Sequence, residues 1–435
     1  MEWPVLCLII GGMLLVTLMS GLPIFVAFFI VDTVGILLFM GGVAGLDSLV
    51  RSMFDSIGLF TLTPVILFLI MGELIYQSGM ASRALDIFDR ILRYLPGRLS
   101  LVAVGGGAIF STLSGSALGT CAMLSTLLVP EMRKRNYSKS MSMGPIMAGG
   151  MLDVIIPPST LAVILGAQGG IPVGKLLIAG FIPGFILTGF YLLYIIYTCY
   201  RDPSQAPLGE AAAAKTSLAM DCLKYLLPLM AIVVAIFGGI FTGWATPTEA
   251  AALGAFTSAL LAIYYRELTL KVVVKCLTST VAVSSMIFMI VGGSVAFGQL
   301  LSFTGIVKGI VNLATDLPVS PIIVVALMQV VLVIMGCFID QIAMIMIAVP
   351  IFMPITNALG LDPIWVGLLL LISISLGLIT PPFGLLLFVM KGGAPEGTTM
   401  MDVYRASMPY TILTLIGLIL FILFPGLSTW LTQYM

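Results

Sequence analysis

The sequence predicts an all-α integral membrane protein of about ten transmembrane helices and two re-entrant hairpins, arranged as two inverted-topology repeats. Three observations predict it. Hydrophobic residues make up 60% of the 435 and charged residues only 9%, against roughly 25% charged in soluble domains. Apolar runs near the roughly 20 residues that cross a hydrocarbon core recur along the whole chain. Prolines repeat at one fixed spacing between the halves.

The first segment opens Met1-Glu2-Trp3-Pro4 without a basic n-region, so it reads as a spanning helix and not as a cleavable signal peptide. Helices follow over roughly 4–20, 22–40 and 57–78. An amphipathic stretch at 81–95, with Arg83, Asp86, Asp89, Arg90 and Arg93 among apolar residues, is expected in the interface plane. The first hairpin covers about 99–131. A helix at 141–168 is broken at Pro157-Pro158, and 174–200 closes the first repeat, residues 1–200. Residues 201–219 form the linker, the most polar gap in the chain. The second repeat, 220–435, holds helices at 220–241, 246–265 and 277–302, and a hairpin at about 319–356. A helix at 362–391, broken at Pro381-Pro382, and a last one at 404–424 complete it.

The repeat is carried by an offset of 224. Pro4 meets Pro228, Pro23 meets Pro247, Pro130 meets Pro354, and Pro157-Pro158 meets Pro381-Pro382. Five spanning helices per half is an odd number, so the second half inserts upside down. Charge tests this through the excess of Lys and Arg on cytoplasmic loops. Of the 19 Lys and Arg, all but Arg51, Lys175 and Lys308 fall on the side that holds residues 79–140. That side is therefore cytoplasmic, and both termini lie on the other. The first hairpin opens from the cytoplasm and the second from outside.

Inventory excludes several chemistries. There is no histidine, and the six cysteines are scattered in apolar runs without a C-x-x-C pair. A zinc site, a haem site and a Ser-His-Asp triad are ruled out, and an intramembrane enzyme lacks its usual general base. The partner such a chain needs at every point is the lipid bilayer, and no nucleic acid is expected.

Breaking a helix in hydrocarbon strands backbone groups at several kcal/mol each, roughly, unless protein, water or an ion satisfies them. In inverted-repeat transporters such breaks coordinate ions and substrate near the midplane. The first candidate site is the tip Ser114-Gly115-Ser116 facing the break that runs from Gly150 through Asp153 to Pro157 and Pro158. Its hydroxyls, freed carbonyls and carboxylate make an oxygen shell suited to a hard cation. The second is its image: Asp340 stands at the repeat position of Ser116 and faces the break Gly377, Thr380, Pro381 and Pro382. A lone intramembrane carboxylate calls for a compensating cation. Ser116, Ser159, Thr160, Asp340 and Phe383 are the candidate substrate contacts. Asp32, Glu73 with Gln77, and Glu249 remain open between packing and transport.

Ser114-Gly-Ser116, Pro157-Pro158-Ser159, Ala245-Thr-Pro-Thr-Glu-Ala-Ala-Ala252 and Pro381-Pro382 together resemble the large membrane subunit of TRAP (tripartite ATP-independent periplasmic) transporters, within a larger ion-transporter superfamily. The likeness covers essentially the whole chain. It implies a Na⁺-driven symporter of the bacterial cell inner membrane that takes up a small organic acid by an elevator mechanism. It implies two Na⁺ sites, one of Ser114, Ser116, Gly150, Asp153 and Pro157, and one of Asp340, Gly377, Thr380 and Pro382. It implies a small four-helix membrane subunit, expected as a separate polypeptide, and a periplasmic substrate-binding protein as partners. No organic cofactor is implied. The family often has Gly where Asp153 stands, so the first site is expected to differ. A stand-alone Na⁺- or H⁺-coupled anion transporter of the same superfamily is the alternative.

Overall fold

The structure, a computed structural model, describes residues 2–92, 95–207 and 218–435. Arg93, Lys215 and most of the linker lie outside the described residues. Those described fold into helices: α1 Trp3–Met19, α2 Ile24–Phe39, α3 Val43–Ile57, α4 Thr63–Gln77, α5 Met80–Ile91, α6 Arg98–Ser114, α7 Ala117–Lys134, α8 Lys139–Gly150, α9 Thr160–Gly169, α10 Val173–Ala179 and α11 Phe181–Arg201. After the linker come α12 Leu218–Asp221, α13 Leu227–Phe241, α14 Pro247–Tyr264, α15 Leu270–Phe303, α16 Ile306–Asp316, α17 Pro321–Gly336 and α18 Gln341–Ala358. The chain ends with α19 Pro363–Ile379, α20 Leu385–Gly393, α21 Met400–Leu423 and the short α22 Gly426–Thr429. Among the described residues, six segments are long and apolar enough to cross a membrane, and six shorter apolar helices accompany them.

Local sequence accounts for many helix starts. Pro4, Pro64, Pro228, Pro247, Pro321 and Pro363 sit in first turns, where a missing N–H leaves nothing unpaired. Ser116, Ser138, Ser159, Thr246, Thr269, Asp340 and Thr399 each accept a first-turn backbone N–H on the side chain. The Thr246–Glu249 pair is a reciprocal capping box, with Glu249 accepting Thr246 N–H at 2.8 Å. The Thr-Pro-Thr-Glu stretch thus starts α14, and Glu249 has a structural role there.

The elements recur at the proline spacing: α7 and α18 are both 18 residues long and start 224 apart. One region breaks this correspondence. The sequence reading leaves 41–56 without an element, yet α3 forms there as an amphipathic helix whose Asp47, Arg51 and Asp55 disqualify it as an apolar span. The matching stretch of the second half merges into α15, 34 residues long, which starts earlier than the expected 277 because Thr269 caps it. The amphipathic α5 ends at Ile91, short of the expected 95.

Two packing groups follow. In one, α15 lies against α2, α3 and α4, and α4 packs on α14. In the other, α6 and α7 pack on α8, α17 on α19, and α20 on α7, with α21 against α8 and α19. Each group draws on both halves of the sequence. The five ion pairs among the described residues, including Lys139 with Asp402 at 2.8 Å and Arg98 with Asp89 at 2.7 Å, all use basic residues that the charge count places on one side.

Candidate functional site

The tip between α6 and α7 turns on Gly115 at φ +63, a conformation that favours glycine. A Cβ there would also lie 2.7 Å from Thr160 Oγ1, so the first residue of α9 presses directly on the tip. Ser116 takes an extended backbone and accepts Gly119 N–H at 3.1 Å. Ser114 Oγ accepts Ser116 N–H at 3.3 Å and lies 3.1 Å from Thr120 Oγ1.

Opposite this tip the chain leaves α8 at Gly150, makes a 3-10 turn over Met151–Val154, and passes through the cis Pro157-Pro158 bond to Ser159. Prolines there donate no N–H, so carbonyls one turn upstream lose their helical partners. Ser159 Oγ takes up one of them, donating to Val154 O at 2.9 Å, and caps α9 through Ala162 N–H. Gly150 lies close to the Ala117 carbonyl. Asp153 is buried and its carboxylate faces the backbone N–H of Ala117, at the start of α7, and that of Val154. Asp153 Oδ1 and Thr160 Oγ1 are buried without a hydrogen-bond partner.

The tip between α17 and α18 carries Asp340 as the α18 N-cap. Its Oδ2 accepts Ala343 N–H at 3.4 Å, and its carboxylate also faces the N–H groups of Gln341 and Ile342. Asp340 is half-buried. The break opposite ends α19 at Ile379, with Thr380 extended and donating its hydroxyl to Leu376 O at 2.7 Å, before the cis Pro381-Pro382 bond. Pro382 O accepts the Tyr404 hydroxyl at 2.7 Å. Gly377 meets Gly336 at the end of α17 so closely that a Cβ on either would lie 2.6 Å from the other's Cα. Phe383 is half exposed and packs against Phe338, before the tip, and Phe388. With Leu15, Leu18 and Met19 of α1 these rings line an apolar cavity of about 550 Å³.

The structure therefore gathers Ser114, Ser116, Gly150, Asp153, Ser159 and Thr160 around one tip, with Pro157 in the facing turn. Asp340, Gly377, Thr380, Pro382 and Phe383 lie around the other. The two arrangements touch, since α19 packs against the Met151–Val154 turn and α9 against α18. Each is an oxygen-rich nest with one carboxylate at a helix N-terminus, a donor set that fits a hard monovalent cation.

Glu73 belongs to neither nest. It accepts Ser279 Oγ at 2.5 Å and Gln77 Nε2 at 3.0 Å, tying α4 to α15 across the halves. Asp32 is fully buried in α2 with neither oxygen hydrogen-bonded, also apart from the tips. Sequence reasoning missed the buried Gln329–Ser373 bond of 2.8 Å between α17 and α19. It also missed Ser294, whose hydroxyl reaches Met346 O at 2.7 Å. Pro350 is the available signal for the latter, since it deprives the Met346 carbonyl of its helical donor.

An all-helical apolar chain with two tips set against two broken helices has the architecture of a multi-pass membrane transporter. Residues 11–427 match the family described as "Tripartite ATP-independent periplasmic transporter, DctM component", and the chain belongs to this family of large permease subunits. It is 33% identical over 391 residues to the C4-dicarboxylate TRAP transporter large permease protein DctM of Pseudomonas aeruginosa, covering 89% of this chain and 90% of that protein. It is 30% identical over 350 residues to the isethionate TRAP transporter permease protein DctMQ of Oleidesulfovibrio alaskensis, covering 80% of this chain and 55% of that protein. Among solved structures, the crystal structure of the Alcanivorax borkumensis YdaH transporter superposes with a TM-score of 0.61 at 14% identity, over 88% of this chain and 90% of that one. That likeness is one of fold.

Proposed function

We propose that the chain is the permease of a Na⁺-coupled symporter that takes up a small organic acid handed over by a periplasmic binding protein. A small four-helix membrane subunit works beside it in a bacterial inner membrane, with both termini periplasmic. The observation that carries the reading is the pair of carboxylates, Asp153 and Asp340, each facing the first turn of a helix that returns from a tip.

Ser114, Ser116, Gly150, Asp153 and Pro157 hold one Na⁺, and Asp340, Gly377, Thr380 and Pro382 hold the other. A bound cation offsets the cost of a carboxylate inside the membrane and steadies the tip for substrate. Ser116, Ser159, Thr160, Asp340 and Phe383 then meet the organic acid, whose carboxylate is drawn by helix N-termini. The tips are re-entrant hairpins in two inverted repeats. The group built on α6–α9 and α17–α20 moves as an elevator past the group built on α4, α14 and α15, the two meeting where α4 packs on α6 and α9 and where α15 packs on α18.

The test is uptake in proteoliposomes holding this chain and its small subunit. Uptake that needs both an inward Na⁺ gradient and the binding protein is expected. Uptake by the purified chain alone would show a stand-alone transporter instead.

A further inference from the structure

A cavity of about 800 Å³ opens between α3, α9, α15 and α18, lined by residues other than those of the two tips. That volume lies within the range of small-molecule sites, roughly 300–1,000 Å³. Its polar lining is made of neutral groups: Ser48, Gln168, Ser294, Gln299, Ser302 and Asn357. Three of these are primary amides. Gln168 Nε2 is enclosed and has no hydrogen-bond partner. Gln299 receives Ser52 Oγ on its Oε1 at 2.8 Å, which fixes the amide and leaves its NH₂ end as a donor. Asn357 supplies the third amide from the last turns of α18.

The acceptors have a different source. Pro350 and Pro354 both line the cavity, and each removes a helical N–H. The Met346 carbonyl freed by Pro350 is taken by Ser294, but Pro354 likewise frees the carbonyl of Pro350. The cavity thus offers amide donors for carboxylate oxygens, and a freed carbonyl with serine hydroxyls for ligand hydroxyls. Among the described residues, no charged side chain lines it.

We propose that this cavity is a second binding site for the transported acid, suited to a small hydroxylated carboxylate and entered from the side opposite the basic loops. The proposal rests on the transport reading above and deepens it. Amide N–H groups give a carboxylate hydrogen bonds without an opposite full charge to hold it by ion pairing, so this site binds and releases quickly, as a way-station before the tips requires. Its walls come from both packing groups, so an acid lodged there touches both.

The test uses cysteine chemistry in right-side-out vesicles. Asn357→Cys and Ser302→Cys are placed in a background whose six native cysteines are replaced by serine. Each is exposed to 2-sulfonatoethyl methanethiosulfonate, an anion, and to 2-(trimethylammonium)ethyl methanethiosulfonate, a cation. Asn312→Cys on the exposed face of α16 is the reference. The anion-to-cation rate ratio at both test positions is expected to exceed the reference by about tenfold, and to fall to it when Gln168→Ala and Gln299→Ala are added. A ratio equal to the reference at both positions, or no labelling from outside, overturns the second site. Uptake by the cysteine-free parent, with its binding protein, is measured in the same vesicles. Normal uptake alongside a reference-like ratio sinks the second site alone, whereas no Na⁺-dependent uptake sinks the transport reading.

Discussion

Asp153 and Asp340 serve equivalent helix starts from non-equivalent places in the chain. Asp340 is the N-cap of α18 and faces that helix's own first turn, whereas Asp153 reaches from the broken helix to the Ala117 N–H at the start of α7. The repeat partner of Asp340 is Ser116, and that of Asp153 is Gly377. Gly377 has no room for a side chain, because the Gly336 backbone fills that space. One nest therefore takes its carboxylate from the tip and the other from the break.

Asp340→Ala should reduce Na⁺-driven uptake at least about tenfold, since an unshielded cation loses an interaction worth more than 1.4 kcal/mol. The protein should still be recovered folded from the membrane. Initial uptake rates against Na⁺ concentration check this, and wild-type sodium dependence in the variant removes Asp340 from the site.

Asp153→Asn keeps the shape and removes the charge. If two cations are coupled, the Hill coefficient for Na⁺ should fall from about two toward one while the organic acid is still transported. An unchanged sodium curve would make Asp153 a cap for α7 alone.

Gly377→Ala and Gly336→Ala should each destabilise the fold by about 1–3 kcal/mol, because the added methyl meets backbone that cannot step aside. Thermal unfolding in detergent reads this directly. Gly189→Ala, with open space at the Cβ position, is the control and should unfold like the wild type.

Glu249→Ala removes one side of the capping box and should cost about 0.5–2 kcal/mol of stability. Uptake per folded molecule should keep its normal sodium dependence. A variant of normal stability with altered sodium dependence would move Glu249 from helix capping to transport.

Much of this arrangement is legible in the sequence. Proline acts through a missing N–H, so Pro157-Pro158 and Pro381-Pro382 mark the breaks without tertiary information, and Ser114-Gly115-Ser116 marks a tip because Gly115 supplies the turn. Other features depend on what the fold brings together. α3 is hidden by Asp47, Arg51 and Asp55, which look like a loop until the helix lies on α15. The contact between Asp153 and Ala117 is equally invisible, because 36 residues and two helices separate them in the chain. Glu73 is open between packing and transport in one dimension, and its bond to Ser279 across the halves is visible only in the fold.

The central claim is that each carboxylate holds one cation, and equilibrium ²²Na⁺ binding to the purified membrane complex tests it most directly. The account predicts two sodium ions per wild-type permease and one in either Asp153→Asn or Asp340→Asn. Two ions retained in both variants would contradict it.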